Sequence, residues 1–124
     1  MEKLNPIEVS DKLLKALEAK NAEEASAFFA DENVTFTLAP PSDGEGGVKK
    51  WLDTFAEGPR FETADRHLTV DGDVAFSYGL VHMRGKKVEG DVVDIWYRET
   101  NCFRRIDGDW KIIHQHDSVP LESQ

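Results

Sequence analysis

At 124 residues the chain is the size of one domain, able to close a single core around a modest cavity and too short for a second. Its 15 Lys and Arg against 24 Asp and Glu give a formal charge of -9 without a basic stripe, which argues against nucleic acid as a partner. The lone Cys102 leaves no internal disulfide, the start Met1-Glu2-Lys3-Leu4-Asn5-Pro6 has no apolar leader core, and no run approaches the ~20 apolar residues of a membrane helix; a soluble, reduced, cytoplasmic protein is expected.

Asn5 as a cap and Pro6 in the first turn open a helix predicted from Ile7 to Ala19, with Val9, Leu13, Leu14, Ala16 and Leu17 on its dry side. Asn21 caps a second short helix that carries Ala25, Phe28 and Phe29 inward and stops near Asp31. Val34, Phe36 and Leu38 alternate with Thr35 and Thr37 as a short strand, and Pro40 to Gly47 reads as loop. The Gly-rich part, 44 to 47, lacks the lysine and serine of a phosphate loop and is read as a mobile rim. A third helix is predicted from Val48 to Ala56, presenting Val48, Trp51, Leu52 and Phe55 inward and ended by Gly58-Pro59.

From residue 60 the pattern is all strand: 60 to 70, 73 to 84, 90 to 105 and 110 to 119, parted by Asp71-Gly72-Asp73, Gly85-Lys86-Lys87 and Asp107-Gly108-Asp109. Helices first and antiparallel strands afterwards define an α+β class, in one domain over 1–124. The last hairpin looks two-sided, with Val93, Ile95, Tyr97 and Phe103 on one face and Trp96 and Trp110 on the other. One face therefore belongs to the helices and the other to something else, such as a second subunit.

Phe29-Ala30-Asp31-Glu32-Asn33-Val34 resembles the phrase that precedes the first strand in ketosteroid isomerases and SnoaL-like proteins. Arg98-Glu99-Thr100, Phe103-Arg104-Arg105, Asp107-Gly108-Asp109-Trp110 and His114-x-His116-x-Ser118-x-Pro120 resemble the SnoaL-like branch related to the calcium/calmodulin-dependent kinase II association domain. The resemblance covers nearly the whole chain. It implies the cone-shaped nuclear-transport-factor-2-like, or cystatin-like, fold, with three helices packed on a strongly curved antiparallel sheet. That fold hosts isomerases, cyclases, dehydratases and assembly modules, so it does not name an activity. The steroid-isomerase set does not carry over: the tyrosine position falls at Leu13, the base position at or near Thr37, and the late-strand acid near Asn101.

On the 91 to 105 strand, Glu99 and Asn101 interrupt the apolar row Val93, Ile95, Tyr97, Phe103; polar groups so placed line a cavity or belong to a structural ion-pair network. The alternate set Val74, Phe76, Tyr78, Leu80 and His82 reads as core-facing, and the resemblance puts a pocket group near Tyr78. The expected site is then Glu99 as proton shuttle, Tyr78 and Asn101 as oxyanion donors, and Trp51, Gln115, Ile113 and His82 as lining, with Asp117 following Gln115 on the cavity side. Trp51 as ordinary core and Tyr78 bonded to the scaffold are the plainer readings. His114-x-His116 lacks nearby further ligands, so no metal and no cofactor is expected.

The ligand expected is a small organic molecule held in an internal, partly apolar pocket and handled by cofactor-independent acid–base isomerisation, hydration or cyclisation. The rival is a non-enzymatic oligomerisation or ligand-sensing module. Trp96, Arg98, Trp110, Ile112, His114 and His116 are assigned to the outer face of a homodimer. If the faces are reversed, the pocket becomes Arg98, Thr100, His114 and His116 instead.

Overall fold

The computed structural model describes residues 3–38 and 44–121. Its elements run α1 (Pro6–Glu18), α2 (Ala22–Ala27), β1 (Phe29–Phe36), α3 (Gly44–Leu52), β2 (Arg60–Asp71), β3 (Val74–Lys86), β4 (Val92–Ile106) and β5 (Asp109–Ser118). The α+β class and the order of elements are as the sequence implies. The five strands form one sheet in the order β1-β5-β4-β3-β2. β2 to β5 are antiparallel neighbours, whereas β1 joins the β5 edge in parallel, pairing Val34 with His114 and Phe36 with His116.

Helix α1 starts with a capping box: the Asn5 side chain accepts from the Glu8 amide at 2.9 Å, and Glu8 accepts from the Asn5 amide at 3.0 Å. Its dry stripe Val9, Leu13 and Ala16 packs with Ala25, Ala75, Phe103, Trp110 and Ile112 in one buried cluster. A second cluster, Val81, Met83 and Tyr97, lies further along the sheet, joined by the half-buried Trp51, Phe61, Val93 and Ile95. Strand β1 begins at Phe29, so the Phe29–Asn33 phrase is already strand.

The segment 44 to 47, expected as a mobile loop, is the first turn of α3. Glycine is a poor helix former, but propensity yields here to tertiary packing, since Val48 reaches the first cluster, Trp51 the second, and Leu52 is fully buried. Pro40 to Asp43, also read as loop, lie outside the described residues. α3 stops at Leu52, earlier than expected, and Phe55 bridges to Lys87 as an isolated β-bridge, its ring buried. The Asp107-Gly108 turn has both residues at positive φ, 52° and 86°, the geometry a two-residue hairpin needs to match strand twist.

Two bulges set the phase of the sheet. In β5, Cys102 pairs with His114 and Phe103 with Ile112, which leaves Ile113 as an extra residue. In β2, Ala64 pairs with Leu80 and His67 with Tyr78, so Asp65, at φ 53°, and Arg66 together oppose Gly79. The first bulge corrects the expected outer face. Trp110 and Ile112 point to the helices and are 8% and 0% exposed, although His114 beyond the bulge faces outward beside Cys102.

The face assignment of β3 is also reversed. Ala75, Ser77, Val81 and Met83 are buried, while Val74, Phe76 and Tyr78 are 47%, 43% and 49% exposed. Paired residues on adjacent antiparallel strands share a face, and Gly79 pairs with the inward Glu99. The inward residues Ala75, Ser77 and Gly79 are small where α1 and the bulged β2 press close, so hydrophobicity alone points to the wrong alternate set.

Close backbone approach makes one glycine essential. A Cβ at Gly58 would lie 1.7 Å from the Glu18 carbonyl oxygen at the end of α1. Gly58→Ala should cost about 3 kcal/mol or more because the obstacle is backbone. Gly46→Ala, with nothing within 4 Å, should instead stabilise α3 by up to about 1 kcal/mol. Chemical denaturation of the two variants checks this contrast.

Candidate functional site

Beneath α1, between the two apolar clusters, β4 and β5 lay down a polar ladder. Glu99 is paired with Asp117 and Asn101 with Gln115, all on the helix side of the sheet. The Gln115 amide donates to Asn101 Oδ1 at 3.0 Å, and Asn101 Nδ2 is shared between Glu99 Oε1 at 3.3 Å and Ser10 Oγ of α1 at 3.4 Å. The three amide and hydroxyl groups thus satisfy one another and leave the two carboxyl groups face to face.

The Glu99 and Asp117 carboxyl groups hydrogen bond each other, and Asp117 Oδ1 is buried without an N–H or hydroxyl donor. Such a contact holds only when a proton lies between the two oxygens. Burial pushes Glu99 above the usual carboxylate range, opposed by its bonds from Asp117 and Asn101 and by the Arg66 charge. Burial likewise raises Asp117, and the adjacent Glu99 raises it further. Tyr97, next on the same face, has its phenol pushed up by burial and by both carboxyl groups, so it remains a neutral hydroxyl.

The void beside Glu99 is small. It has a volume of about 10 Å³, room for about one water, and Ser10, Arg66, Ser77, Gly79, Glu99 and Asn101 are among its walls. An open groove of about 540 Å³ lies beside it, bordered by Asp65 and His67 of the β2 bulge, Tyr78, Gly79 and Leu80 of β3, and Arg98, Glu99 and Thr100 of β4. Glu99 borders both spaces. Gly79 opposite it carries no side chain, the space over it is taken by Arg66, and Tyr78, Gly79 and Leu80 line both the void and the groove.

Of the residues expected at the site, Glu99, Tyr78 and Asn101 border the same void, although Tyr78 belongs to the outer face and stacks on His67 with ring centroids 5.0 Å apart. Gln115 joins through Asn101. Trp51 lies edge-on to Phe55 in the second cluster, away from the void. Ile113 is the bulge residue, and His82 is on the outer side, stacked on Trp96 and 2.6 Å from Asp94 Oδ1. His114 donates to the Val34 carbonyl at 2.7 Å when Nδ1 carries the proton, and both His114 and His116 meet the Phe36 ring edge-on. Among the described residues no group of three or more metal-ligating side chains converges.

Sequence reasoning gave Asp117 no chemical role, and Ser10 and Arg66 none at all. Only the register that sets Asp117 opposite Glu99 could have marked it, and that register depends on the Ile113 bulge. Arg66 came into reach through the other bulge.

Carboxyl groups whose folded pKa lies above the unfolded value bind more protons in the native state. Stability therefore falls as pH rises from about 4, the unfolded carboxylate range, towards the folded values. Asp117→Asn keeps the shape and the hydrogen bond to Glu99 without the proton. It should raise the thermal midpoint by on the order of 5 °C at pH ~8 and by much less at pH ~4, as calorimetry at the two pH values would show.

The model of the SnoaL-like domain matches residues 7–122. No curated protein matches the chain. Among solved structures, a nuclear transport factor 2-like superfamily protein from Salmonella enterica superposes with a TM-score of 0.81 at 17% identity, covering 94% of this chain and 89% of its own. The association domain of the Caenorhabditis elegans kinase CaMKII gives 0.73 at 17% identity, over 91% and 92% of the two chains. A Streptomyces avermitilis protein of the same fold, provisionally described as a dehydratase, gives 0.75 at 20% identity, over 92% and 93%. At these identities the structures speak for the fold, and the domain match for descent: the chain belongs to the SnoaL-like family of the nuclear-transport-factor-2-like fold.

Proposed function

We propose that the chain binds a small organic molecule at the Glu99–Asp117 pair and carries out cofactor-independent acid–base chemistry on it, such as isomerisation, hydration or cyclisation. The observation that carries this reading is a buried carboxyl pair, Glu99 opposite Asp117, whose member Glu99 borders an open groove. A core without a task for these groups would be more stable with apolar residues in their place.

The approach of a ligand is through the groove, because the interior void admits nothing larger than a water. A carbonyl or hydroxyl group set beside Gly79 lies next to Glu99, with the Tyr78 hydroxyl on the same wall as a donor. Glu99 takes the proton, and Asn101 and Gln115 hold its carboxyl group in place. Leu80, the Tyr78 ring and the carbon stems of the polar side chains make the groove wall largely apolar, with Glu99 and Thr100 as polar points, so a compact molecule with an apolar body and one polar group is favoured.

Phenol, a planar probe with one hydroxyl, tests access. Titrated into labelled protein, it should move the amide resonances of Gly79, Glu99 and Thr100, and Glu99→Gln should weaken binding about tenfold while leaving the fold intact. If those resonances stay fixed, the ligand reading fails.

A second reading has its own observation. The sheet face away from the helices exposes Phe76, Tyr78 and Trp96 together with Val74, Val34 and Phe36, more apolar surface than scattered side chains explain. We propose that a second copy of the chain covers this face, through Trp96, Arg98, His114 and His116 of the set expected from sequence. Trp110 and Ile112 take no part, being buried under α1. Sedimentation should give a dimer that Trp96→Arg converts to monomer; a monomeric wild type would remove this face as a self-association surface.

A further inference from the structure

Two carboxyl groups that share a proton are chemically equivalent until their surroundings distinguish them, and here the surroundings are strongly unequal. Glu99 receives a hydrogen bond from Asn101 Nδ2 at 3.3 Å. Asp117 Oδ1, also buried, receives none from any N–H or hydroxyl. Hydrogen bonds donated to a carboxyl oxygen favour its ionised form.

The one cation at the void adds to the same imbalance. Arg66 sits in the β2 bulge, and its backbone and side chain lie against Gly79 so closely that a Cβ there would come 3.0 Å from Arg66 Cα and 2.8 Å from Cγ. Gly79 is directly opposite Glu99 in the β3–β4 register. Arg66 and Glu99 are thus walls of one void, and Arg66 is held there by Asp11 of α1, whose Oδ1 accepts from Nη1 at 2.6 Å. Asp117 lies across β4, on the far side of Glu99 from β3.

We infer that Glu99 is the member of the pair that ionises first, that Asp117 retains the shared proton, and that Arg66, seated over Gly79, is the positioning residue that fixes this order. The inference deepens the acid–base reading of the same site, since it separates a base from an acid. Glu99, the group that borders the groove, is the base. Asp117 keeps its proton in the hydrogen bond to Glu99, so a proton taken from a ligand by Glu99 returns from Glu99, and the pair gains none overall.

The charged and titratable groups at the void are Arg66 from β2, backed by Asp11 of α1, with Tyr78 of β3 on its wall and Tyr97 of β4 next along the inward face; the groove on the other side of Glu99 adds Asp65 and His67 of β2 and Arg98 of β4. Tyr97 is neutral throughout. Arg66 and its partner Asp11 form the ion pair at the void itself, so they are the charges whose removal tests the order, and they carry opposite signs. Electrostatic control predicts opposite shifts on removing them, whereas simple loosening of the α1–β2 contact predicts the same shift from both.

The readout is the side-chain carboxyl carbon resonance of each residue, followed in ligand-free protein from about pH 4 to about pH 10. The Glu99 carbon should move to the ionised position at lower pH than the Asp117 carbon. Arg66→Gln should raise the Glu99 midpoint by about one unit, Arg66→Lys should restore it, and Asp11→Asn should lower it. Should Arg66→Gln fail to fold, the Asp11→Asn shift decides alone: a fall supports the inference, and a rise or no change overturns it. A wild-type titration in which Asp117 ionises first overturns it outright. Because no ligand is present, this result is separate from whether phenol enters the groove.

Discussion

The arrangement of this molecule turns on strand phase, and a single inserted residue controls it. Side chains alternate along a strand, so without the bulge at Ile113 unbroken alternation would put the residues that pack under α1, Trp110 and Ile112, on the same face as His114 and His116. With it, one strand delivers large apolar groups to the core at its start and Gln115 and Asp117 to the same side at its end. The bulge at Asp65 and Arg66 does the corresponding work in β2, bringing a cation over Gly79 of β3. The apolar core, the polar ladder and the groove all follow from these two irregularities.

The ladder sits where it costs most. Buried carboxyl groups lose solvation that their mutual hydrogen bond only partly replaces. The structure supports them from both ends: the cluster around Phe103, Trp110 and Ile112 lies on one side, and that around Val81, Met83 and Tyr97 on the other. Asn101 links Gln115 and Ser10 to Glu99, so the buried carboxyl oxygen left without a donor is Asp117 Oδ1. Concentrating an unfavourable feature at one point of a well-packed domain is how functional sites are usually accommodated.

Much of the fold was legible because it rests on local signals. The Asn5–Pro6 helix start, the Asp107-Gly108 turn and the inward row Tyr97, Glu99, Asn101, Phe103 are each written in a few consecutive residues, and each is found as read. The failures come from long-range choices. Phe76 and Tyr78 look more buried than Ala75 and Ser77 to any reading by hydrophobicity, yet the space under α1 admits only small side chains there. Trp110 was assigned to the outer face because a bulge leaves no mark in the alternation of types. The Gly-rich start of α3 was read as loop because the packing of Val48 and Leu52 that holds it as helix is tertiary. At the site the same division holds: Glu99 and Asn101 stood out as polar residues in an apolar row, whereas Asp117 and Arg66 became visible only through register.

The two faces of the sheet are less independent than the two functional readings suggest. The groove that reaches Glu99 opens on the outer face, and Tyr78, one of its walls, belongs to the aromatic surface assigned to a second copy. A subunit laid over that surface would cover the groove and remove water from beside the acid pair. Lower local dielectric strengthens every charge interaction there, including the effect of Arg66 on Glu99, and favours the neutral carboxyl groups still further. Ligand access and self-association then compete for Tyr78 and Arg98 unless the groove remains open at the Asp65–His67 bulge, where β2 forms the edge of the sheet. On the two proposed readings that edge position matters to both: the bulged strand borders the exposed aromatic face on one side and the groove beside Glu99 on the other.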